Sequence, residues 1–441
     1  MRITRRDLLR LPAGAVALGA TSAAASSPRV DRARLRQQLE KLSTFGRPIG
    51  GTFADGVSRI GYSDADIAGR GYAMQLMREA GMEPRIDAAG NIFARKSGEN
   101  NTLPPVLFGS HIDSVINGGN FDGDLGSLGA IEAVRTLHEA RIATRHPLEV
   151  VIWSCEESSF AGRSLNGSRA VTGALEPNEL DVVSSGLSKR EAIGRIGGNV
   201  TRLEQAQFGK DRFHAYLELH IEQGGKLDRA GTPIGIVEGI VSIDHYAVVV
   251  KGMANHAGTT QMAERRDALL AASELALAVR EIVTSEPGAQ VGTVGHMEVL
   301  PNAQNVVPGE VRMSIDLRDL SAAKIQRLGE KIRERARGIA VQSNTEIDFR
   351  HIQRMNGASA SDRLQRVIED TSRQLGLIST RLPSGAGHDA QMMARAGEMA
   401  MIFVPSVRGI SHSPKELTQW EDCGNGADVL LAAVLKLAGA T

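Results

Sequence analysis

The chain has 441 residues, of which 42% are hydrophobic and 23% are charged. This length and composition predict a globular protein of two or three domains and argue against long disorder, collagen and coiled coil. Its 51 Lys and Arg residues balance its 51 Asp and Glu residues, so the chain has no excess of basic residues. The composition therefore gives no indication that nucleic acid or a membrane surface is a partner. Two cysteines without a C-x-x-C spacing argue against a thiolate zinc site, an iron–sulfur cluster and a disulfide scaffold.

Residues 1–25 are predicted to be a targeting segment. Arg5 and Arg6 lie in the run TRRDLLR, which is similar to a twin-arginine export signal. The uncharged, Ala- and Gly-rich run that follows is too weakly apolar to be a stable membrane anchor, and three alanines at 23–25 offer a cleavage pattern of small residues. We therefore expect a periplasmic or exported protein, and a cytoplasmic protein with a basic N-terminus is the alternative.

The first half of the remaining chain alternates between strand and helix patterns. The predicted helices cover residues 31–42, 64–80 and 126–140, and the predicted strands cover residues 105–109 and 148–153. This alternation predicts an α/β fold with a mixed, mostly parallel sheet and helices on both faces. Because ligands bind beyond the carboxyl ends of strands in such sheets, polar residues at those ends are candidate site residues.

From about residue 239 the pattern predicts a second, α+β unit. Its predicted strands cover residues 244–252, 290–299, 306–317 and 345–352, and its predicted helices cover residues 262–285 and 321–340. The order β-α-β-β-α-β is that of the ferredoxin-like split βαβ arrangement. We expect an inserted domain at 239–355, between the two parts of the α/β domain at 26–238 and 356–441.

The first polar cluster contains His111, Asp113 and Asp122. His111 follows the buried strand predicted over 105–109, and Asp113 lies two residues further on an extended segment, so both side chains project to the same face. A carboxylate beside a metal-bound imidazole fixes its tautomer, and Asp122 in a Gly-rich loop can reach the same place. The alternative is an Asx-rich turn with a surface histidine.

The second cluster is the pair Glu156 and Glu157, which follows the buried strand predicted over 148–153. Two adjacent buried carboxylates are unfavourable unless a cation compensates them. Consecutive side chains point in different directions, so one can bind a metal ion while the other acts as a general base toward water. A solvated surface pair is the alternative.

Two further histidines lie in short motifs. His220 alternates with apolar neighbours on a predicted strand, where a core histidine is the ordinary interpretation. His412 lies in the motif GISHSP, which alone is typical of a turn. Together the imidazole and carboxylate donors suit Zn²⁺, Mn²⁺ or Co²⁺. Cys155 is interpreted as core packing rather than as a nucleophile, since no partner pattern accompanies it.

Taken together in chain order, these motifs resemble those of the metal-dependent amidohydrolases that cleave N-carbamoyl-L-amino acids, allantoate and β-ureido acids. That family lies within the zinc aminopeptidase–aminoacylase superfamily, and the resemblance covers nearly the whole chain after the targeting segment. The matching motifs are HID at 111–113, NGGNFDG at 117–123, EE at 156–157, ELHIEQG at 218–224, NHAGTT at 255–260, NVVPGE at 305–310, SGAGHD at 384–389 and SHSP at 411–414.

The resemblance implies a role for each matching residue. It implies two divalent metal ions per subunit (Zn, Mn or Co), with Asp122 bridging them and Glu156 as the catalytic base. The implied metal ligands are His111, Asp122, Glu157, His220 and His412. The implied substrate-contacting residues are Gln223, His256, Asn305, Arg318 and Gly387. Arg318 would hold the substrate carboxylate through two parallel hydrogen bonds.

The resemblance also implies that the inserted domain is a lid that forms a homodimer, so that His256 and Asn305 reach the site of a neighbouring subunit. The sequence departs from the family pattern in loops beside the metals, which shape the pocket, and these departures leave every implied ligand in place. They are Ser158 for Gly, Phe160-Ala161 for Arg-Phe, Gln261 for Pro and Ile116 for Pro.

The implied activity is hydrolysis of the carbamoyl C–N bond of a small N-carbamoyl-L-amino acid or related ureido acid, with release of the amino acid, carbon dioxide and ammonia. Allantoate amidohydrolase activity, or a dinuclear zinc peptidase or aminoacylase on the same architecture, is the alternative. A solute-binding protein that captures small carboxylates without chemistry is a third hypothesis. It would have no need of Glu156 beside five metal ligands.

Overall fold

The computed structural model describes residues 28–160 and 163–439. The predicted targeting segment lies outside these residues, as does Ala161. Within them, no helix combines the length and the apolar character that crossing a membrane requires.

Helices and strands occur along the whole described part of the chain. The helices are α1 (Arg32–Leu42), α2 (Asp64–Glu79), α3 (Asp124–Glu139), α4 (Asn166–Val171), α5 (Lys189–Arg195), α6 (Lys226–Ala230), α7 (Ala268–Thr284), α8 (Ala322–Ser343), α9 (Asp362–Gln374), α10 (Asp389–Met393) and α11 (Trp420–Ala438). The strands are β1 (Glu83–Ile86), β2 (Ile92–Lys96), β3 (Val106–His111), β4 (Leu148–Trp153), β5 (Val183–Ser184), β6 (Leu187–Ser188), β7 (Ala215–Ile221), β8 (Ile234–Ile240), β9 (Ser242–Lys251), β10 (Asn255–His256), β11 (Val291–Leu300), β12 (Val306–Val307), β13 (Glu310–Asp319), β14 (Glu346–Met355), β15 (Ala358–Ser359), β16 (Ser379–Ser384) and β17 (Met399–Val404).

A nine-stranded mixed sheet forms the centre of the larger unit. Its strand order is β1-β2-β4-β3-β7-β17-β8-β15, with β16 paired to β8. The central strands β4, β3, β7 and β17 are parallel to one another. These four strands are buried along their whole length, as apolar runs are in parallel sheets covered on both faces. Their carboxyl ends meet at one edge of the sheet, which confirms the predicted α/β fold.

Two groups of helices cover the faces of this sheet. Helices α1, α3 and α11 contact one another and α9 contacts α11, while α4 and α10 contact each other and the central strands. A buried arginine joins the first group to the sheet: Arg59 donates to the backbone carbonyls of Ile112, Leu42 and Phe45 and pairs with Asp124. The chain on both sides of the first polar cluster is thereby fixed.

The second unit is a four-stranded antiparallel sheet with the order β11-β13-β9-β14. Helices α7 and α8 pack together against it and enclose a second apolar core. The chain order of these elements, β-α-β-β-α-β, is the predicted one. The predicted domain boundaries, and the role of this unit as a lid or dimer contact, stay predictions.

Two predicted elements of the second unit are wrong in extent. The helix predicted over 262–285 begins only at Ala268, because Asp267 accepts hydrogen bonds from the backbone of Leu269 and Leu270 and so caps it. The strand predicted over 306–317 is divided by Pro308 and Gly309 into β12 and β13. These two strands pair with different partners, β12 with β10 and β13 with β9 and β11.

Candidate metal centre

The five predicted metal ligands meet at the carboxyl edge of the parallel strands, around the carboxylate of Asp122. His220 Nε2 lies 3.1 Å and His111 Nε2 lies 3.6 Å from Asp122 Oδ1. On the other side, His412 Nε2 lies 3.2 Å from Asp122 Oδ2 and 3.5 Å from Glu157 Oε1. The side chains therefore form two groups of three that share Asp122: His111–Asp122–His220 and Asp122–Glu157–His412.

The imidazole tautomers fit a cation in the first group. The Nδ1 atoms of His111 and His220 lie 3.0 and 2.9 Å from the backbone carbonyls of Asp113 and Ile221, so each Nδ1 is the protonated nitrogen. In each ring Nε2 then faces a carboxylate oxygen of Asp122. Burial lowers the pKa of both rings, but the surrounding carboxylates outweigh it and raise that pKa, so in the metal-free protein Nε2 can hold a proton toward Asp122. His220 Nε2 is buried and has no hydrogen-bond partner among the described residues. Once these nitrogens lose their protons, their lone pairs and the Asp122 carboxylate converge on a position where a cation can be held.

The balance of buried charge fits cations as well. Six carboxylates with at most 8% exposure lie in and beneath the candidate site: Asp113, Asp122, Glu156, Glu157, Glu218 and Asp389. Burial raises the pKa of the Glu156 carboxyl well above its usual range, and the neighbouring Glu157 raises it further. So many acids in one buried place are unfavourable without compensating positive charge.

Asp113 fixes the direction of the two glutamates. Its carboxylate accepts hydrogen bonds from the backbone N–H groups of Glu156, at 3.0 Å, and Glu157, at 3.2 Å. The preceding residue, Cys155, has a φ of 49°, a left-handed conformation that turns the chain sharply after β4. As a result Glu156 Oε2 lies 3.8 Å from His111 Nε2, whereas Glu157 faces His412.

Glu416 and Ser411, which are not among the predicted site residues, hold Asp122 in place. Buried Glu416 accepts hydrogen bonds from the backbone N–H groups of Phe121 and Asp122, and Ser411 lies within hydrogen-bond distance of both carboxylates. The signal was present in the sequence, since Glu416 follows the SHSP motif by two residues. An isolated glutamate after a turn is too common to indicate this contact.

His388 is a second buried residue without a role in the sequence analysis, although it lies in the SGAGHD motif. With Glu218 and His220 it forms a further group of potential ligand atoms. The Ser384 hydroxyl donates to the carbonyl of Ala386, so His388 Nε2–H donates to that hydroxyl at 2.9 Å. Burial lowers the pKa of His388 well below its usual range, so this ring adds no positive charge beside His220.

A cavity of about 610 Å³ opens above the candidate metal centre. Three of the predicted substrate-contacting residues line it: Gln223, Arg318 and Gly387. Gln223 Nε2 donates to Asp122 Oδ2 at 2.7 Å, while its Oε1 is buried and has no hydrogen-bond partner among the described residues. The cavity therefore has Gln223 beside Asp122 at its floor and the guanidinium of Arg318 on its wall.

The other two predicted substrate-contacting residues, His256 and Asn305, do not line this cavity. Both are exposed, on or beside the small ribbon formed by β10 and β12. His256 Nδ1 accepts hydrogen bonds from the backbone N–H groups of Gly258 and Thr259. Nε2 therefore carries the proton, and this N–H has no hydrogen-bond partner among the described residues.

Comparison with known proteins gives relatives over nearly the whole chain. The family described as "Peptidase family M20/M25/M40" matches residues 107–436. An N-carbamoyl-L-amino acid amidohydrolase of Geobacillus stearothermophilus is 40% identical over 406 residues, covering 92% of this chain and 98% of that protein. An allantoate amidohydrolase of Bacillus subtilis is 34% identical over 413 residues, covering 91% of this chain and 96% of that protein.

A crystal structure of an amidase of the hydantoinase/carbamoylase family from Burkholderia multivorans superposes with a TM-score of 0.86. It is 34% identical and covers 93% of this chain and 99% of that one. The fold and the site together define a metallopeptidase-like α/β protein. The chain belongs to the M20/M25/M40 peptidase family, which confirms the predicted resemblance and the predicted class of enzyme, a hydrolase.

We expect the affinity of the protein for a divalent cation to rise with pH. In the metal-free protein the hydrogen bond to Asp122 raises the pKa of His412 to about 9, and burial beside Asp122 raises that of Glu157 to about 8. Both groups are protonated at neutral pH, so an entering cation must displace their protons. The dissociation constant for Zn²⁺ should fall at least roughly tenfold per pH unit between pH 6 and 8 and level off above about pH 9.

Competition titration with a chromogenic chelator measures this constant. The variant His296→Gln, which removes an exposed histidine of β11 outside the site, should show the same slope. A dissociation constant that does not change across this pH range would contradict the assignment of these two groups as ligands.

Proposed function

We propose that this chain hydrolyses the carbamoyl C–N bond of an N-carbamoyl-L-amino acid or a related ureido acid and releases the amino acid, carbon dioxide and ammonia. The observation that carries the proposal is the position of Glu156 at the floor of the cavity, beside both groups of potential metal ligands. The names of relatives at 34–40% identity support the choice of bond.

The proposed cofactors are two divalent cations of zinc, manganese or cobalt. His111 and His220 would hold one, Glu157 and His412 would hold the other, and Asp122 would bridge them. When bound, two such ions polarise a carbonyl oxygen and lower the pKa of water. Oxygen and nitrogen donors without a thiolate suit these metals.

Glu156 is proposed as the general base. It belongs to neither group of potential ligands, yet it lines the same cavity. Its raised pKa gives the carboxylate a proton affinity suited to accepting a proton from the attacking water. Glu156 then returns that proton to the leaving nitrogen as the bond between the carbamoyl carbon and the amine breaks.

The two ends of the substrate have matching groups in the cavity. Arg318 donates through Nε and Nη2 to Asp316 and through Nη1 to the carbonyl of Gly385. One N–H on each terminal nitrogen stays free, and this pair can hold the substrate carboxylate through parallel hydrogen bonds. At the floor, Gln223 lines the cavity, and a rotation of its side chain would bring the buried Oε1, which has no partner among the described residues, to the NH₂ group of a carbamoyl substrate.

A homodimer would bring a further donor to the site. His256 is exposed, and its Nε2–H has no hydrogen-bond partner among the described residues of its own chain. In a dimer, His256 and Asn305 of each subunit would reach the cavity of the other, where His256 can donate to the negative oxygen that develops on the carbamoyl group. Export of the protein through residues 1–25 is likewise proposed, on the strength of the twin-arginine-like run.

Replacing Glu156 with Gln should remove the base and keep the shape of the site. The Glu156→Gln protein should bind metal as the parent does, while ammonia release from N-carbamoyl-L-amino acids falls by roughly three orders of magnitude or more. Metal content by mass spectrometry and ammonia release by a coupled assay test this. Glu204→Gln, at an exposed glutamate outside the cavity, is the control and should keep full activity.

The same assay separates the proposed reaction from its alternatives. N-carbamoyl, N-acetyl and dipeptide forms of one amino acid are compared, with allantoate beside them. Faster turnover of the dipeptide or the N-acetyl form would mean that the chain is a peptidase or an aminoacylase. Retention of most activity by Glu156→Gln would mean that another group is the base.

Mixing two inactive variants tests the contribution of His256 from a neighbouring subunit. Glu156→Gln and His256→Ala should each be nearly inactive alone. In a mixed dimer, the subunit that keeps Glu156 receives an intact His256 from the other subunit. Co-expression should therefore recover roughly a quarter of parental activity, the share of intact sites in a random mixture of dimers. Absence of recovery, with mixed dimers present by mass spectrometry, would show that His256 does not act across subunits.

A further inference from the structure

The charged residues that line the cavity are distributed unevenly. Its acidic lining residues are Asp122, Glu156 and Glu157, all at the candidate metal centre. Away from that centre, the charged side chains of the lining are four arginines: Arg163, Arg169, Arg318 and Arg395. One carboxylate of an N-carbamoyl amino acid needs only one of them, so the cavity contains more positive charge than such a substrate requires.

Two of these arginines are neutralised within the protein. Arg318 is paired with Asp316, which lies 2.9 Å from its Nε. Arg169 is paired with both carboxylate oxygens of buried Glu179. The cost of placing these guanidinium groups beside the cavity is therefore offset locally, and Arg318 keeps one free edge for the substrate carboxylate.

The other two are not neutralised. Arg395 has no hydrogen-bonded or ion-paired partner for its guanidinium among the described residues. Arg163 lies 3.8 Å from Glu179, but that carboxylate already pairs with Arg169 and with buried Lys189. Three cations thus share one acid, and this part of the wall has a net positive charge.

The two arginines come from neighbouring elements. Arg163 lies in the loop that leads into α4, and Arg395 lies two residues after the end of α10. Helices α4 and α10 contact each other, and both residues line the same cavity. Arg318 lies on β13, in the other unit. A substrate held at Arg318 and at the metal centre therefore meets a second basic site on the α4–α10 side.

We propose that Arg163 and Arg395 bind a second carboxylate of the substrate, so that the preferred substrates are ureido dicarboxylic acids, such as N-carbamoyl amino acids with an acidic side chain. This inference rests on the proposed function and narrows its substrate class. The planar guanidinium groups suit a carboxylate because each can offer two parallel N–H donors. A neutral side chain of the same shape would leave Arg395 without an anionic partner and Arg163 with only its share of Glu179.

Isosteric substrate pairs test the proposal with the metal-loaded protein. kcat/KM is measured for N-carbamoyl-L-glutamate against N-carbamoyl-L-glutamine, and for N-carbamoyl-L-aspartate against N-carbamoyl-L-asparagine. The acidic member of at least one pair should be preferred by about tenfold or more, the effect of one charged hydrogen bond. Raising the salt concentration should reduce the preference, because both arginines are exposed.

Substitutions of the two arginines show which side chains cause the preference for the acidic substrate. Arg163→Gln and Arg395→Gln should each lower kcat/KM for the acidic substrate by about tenfold and change that for its neutral partner by less than about twofold. Arg366→Gln is the matched control, because Arg366 is an exposed arginine on α9 that does not line the cavity. It should change neither value.

Binding to the Glu156→Gln protein gives a readout without turnover. Calorimetry should show tighter binding of the acidic member, and the added Arg163→Gln or Arg395→Gln change should abolish the difference. Equal kcat/KM for the two members of each pair, or equal losses on both in the variants, would overturn this inference and leave the proposed function intact. If no ureido acid releases ammonia, the proposed function is wrong, and the calorimetric comparison alone then decides whether this wall binds a second carboxylate.

Discussion

The structure of the site depends on the electrostatic environment of one carboxylate. The Nε2 atoms of His220 and His111 lie next to one oxygen of Asp122, and Nε2 of His412 lies next to the other. Gln223 and Ser411 donate hydrogen bonds to the same carboxylate. Backbone carbonyls accept hydrogen bonds from the opposite nitrogens of the first two rings, so the Nε2 atoms of these rings face the carboxylate. Positive charge beside Asp122 stabilises this arrangement, and either protons or bound cations can supply it.

The fold supplies this geometry through the common direction of its central strands. β3 and β7 bring His111 and His220 to one edge, and β4 brings the two glutamates there after a sharp turn. Asp113 holds the backbone of both glutamates, so that Glu157 joins a group of potential ligands and Glu156 lies beside it. The α4–α10 side of the cavity adds positive charge, so one cavity contains buried acids at its floor and arginines on its wall.

Much of this could be predicted from local sequence, because apolar runs followed by His or Glu mark the carboxyl ends of buried strands. The failures have physical causes. The helix predicted from residue 262 begins only at Ala268, because the side chain of Asp267 caps its first turn. Contacts such as that of Glu416 with the backbone of Asp122 join residues almost 300 positions apart, and no local pattern encodes them.

The central claim is that Asp122 lies between two cations, and anomalous diffraction from crystals of the metal-loaded protein tests it most directly. Data collected above and below the absorption edge of the bound metal should give two peaks. One should lie among His111, Asp122 and His220, and the other among Asp122, Glu157 and His412. A single peak, or peaks that do not share Asp122, would contradict the account.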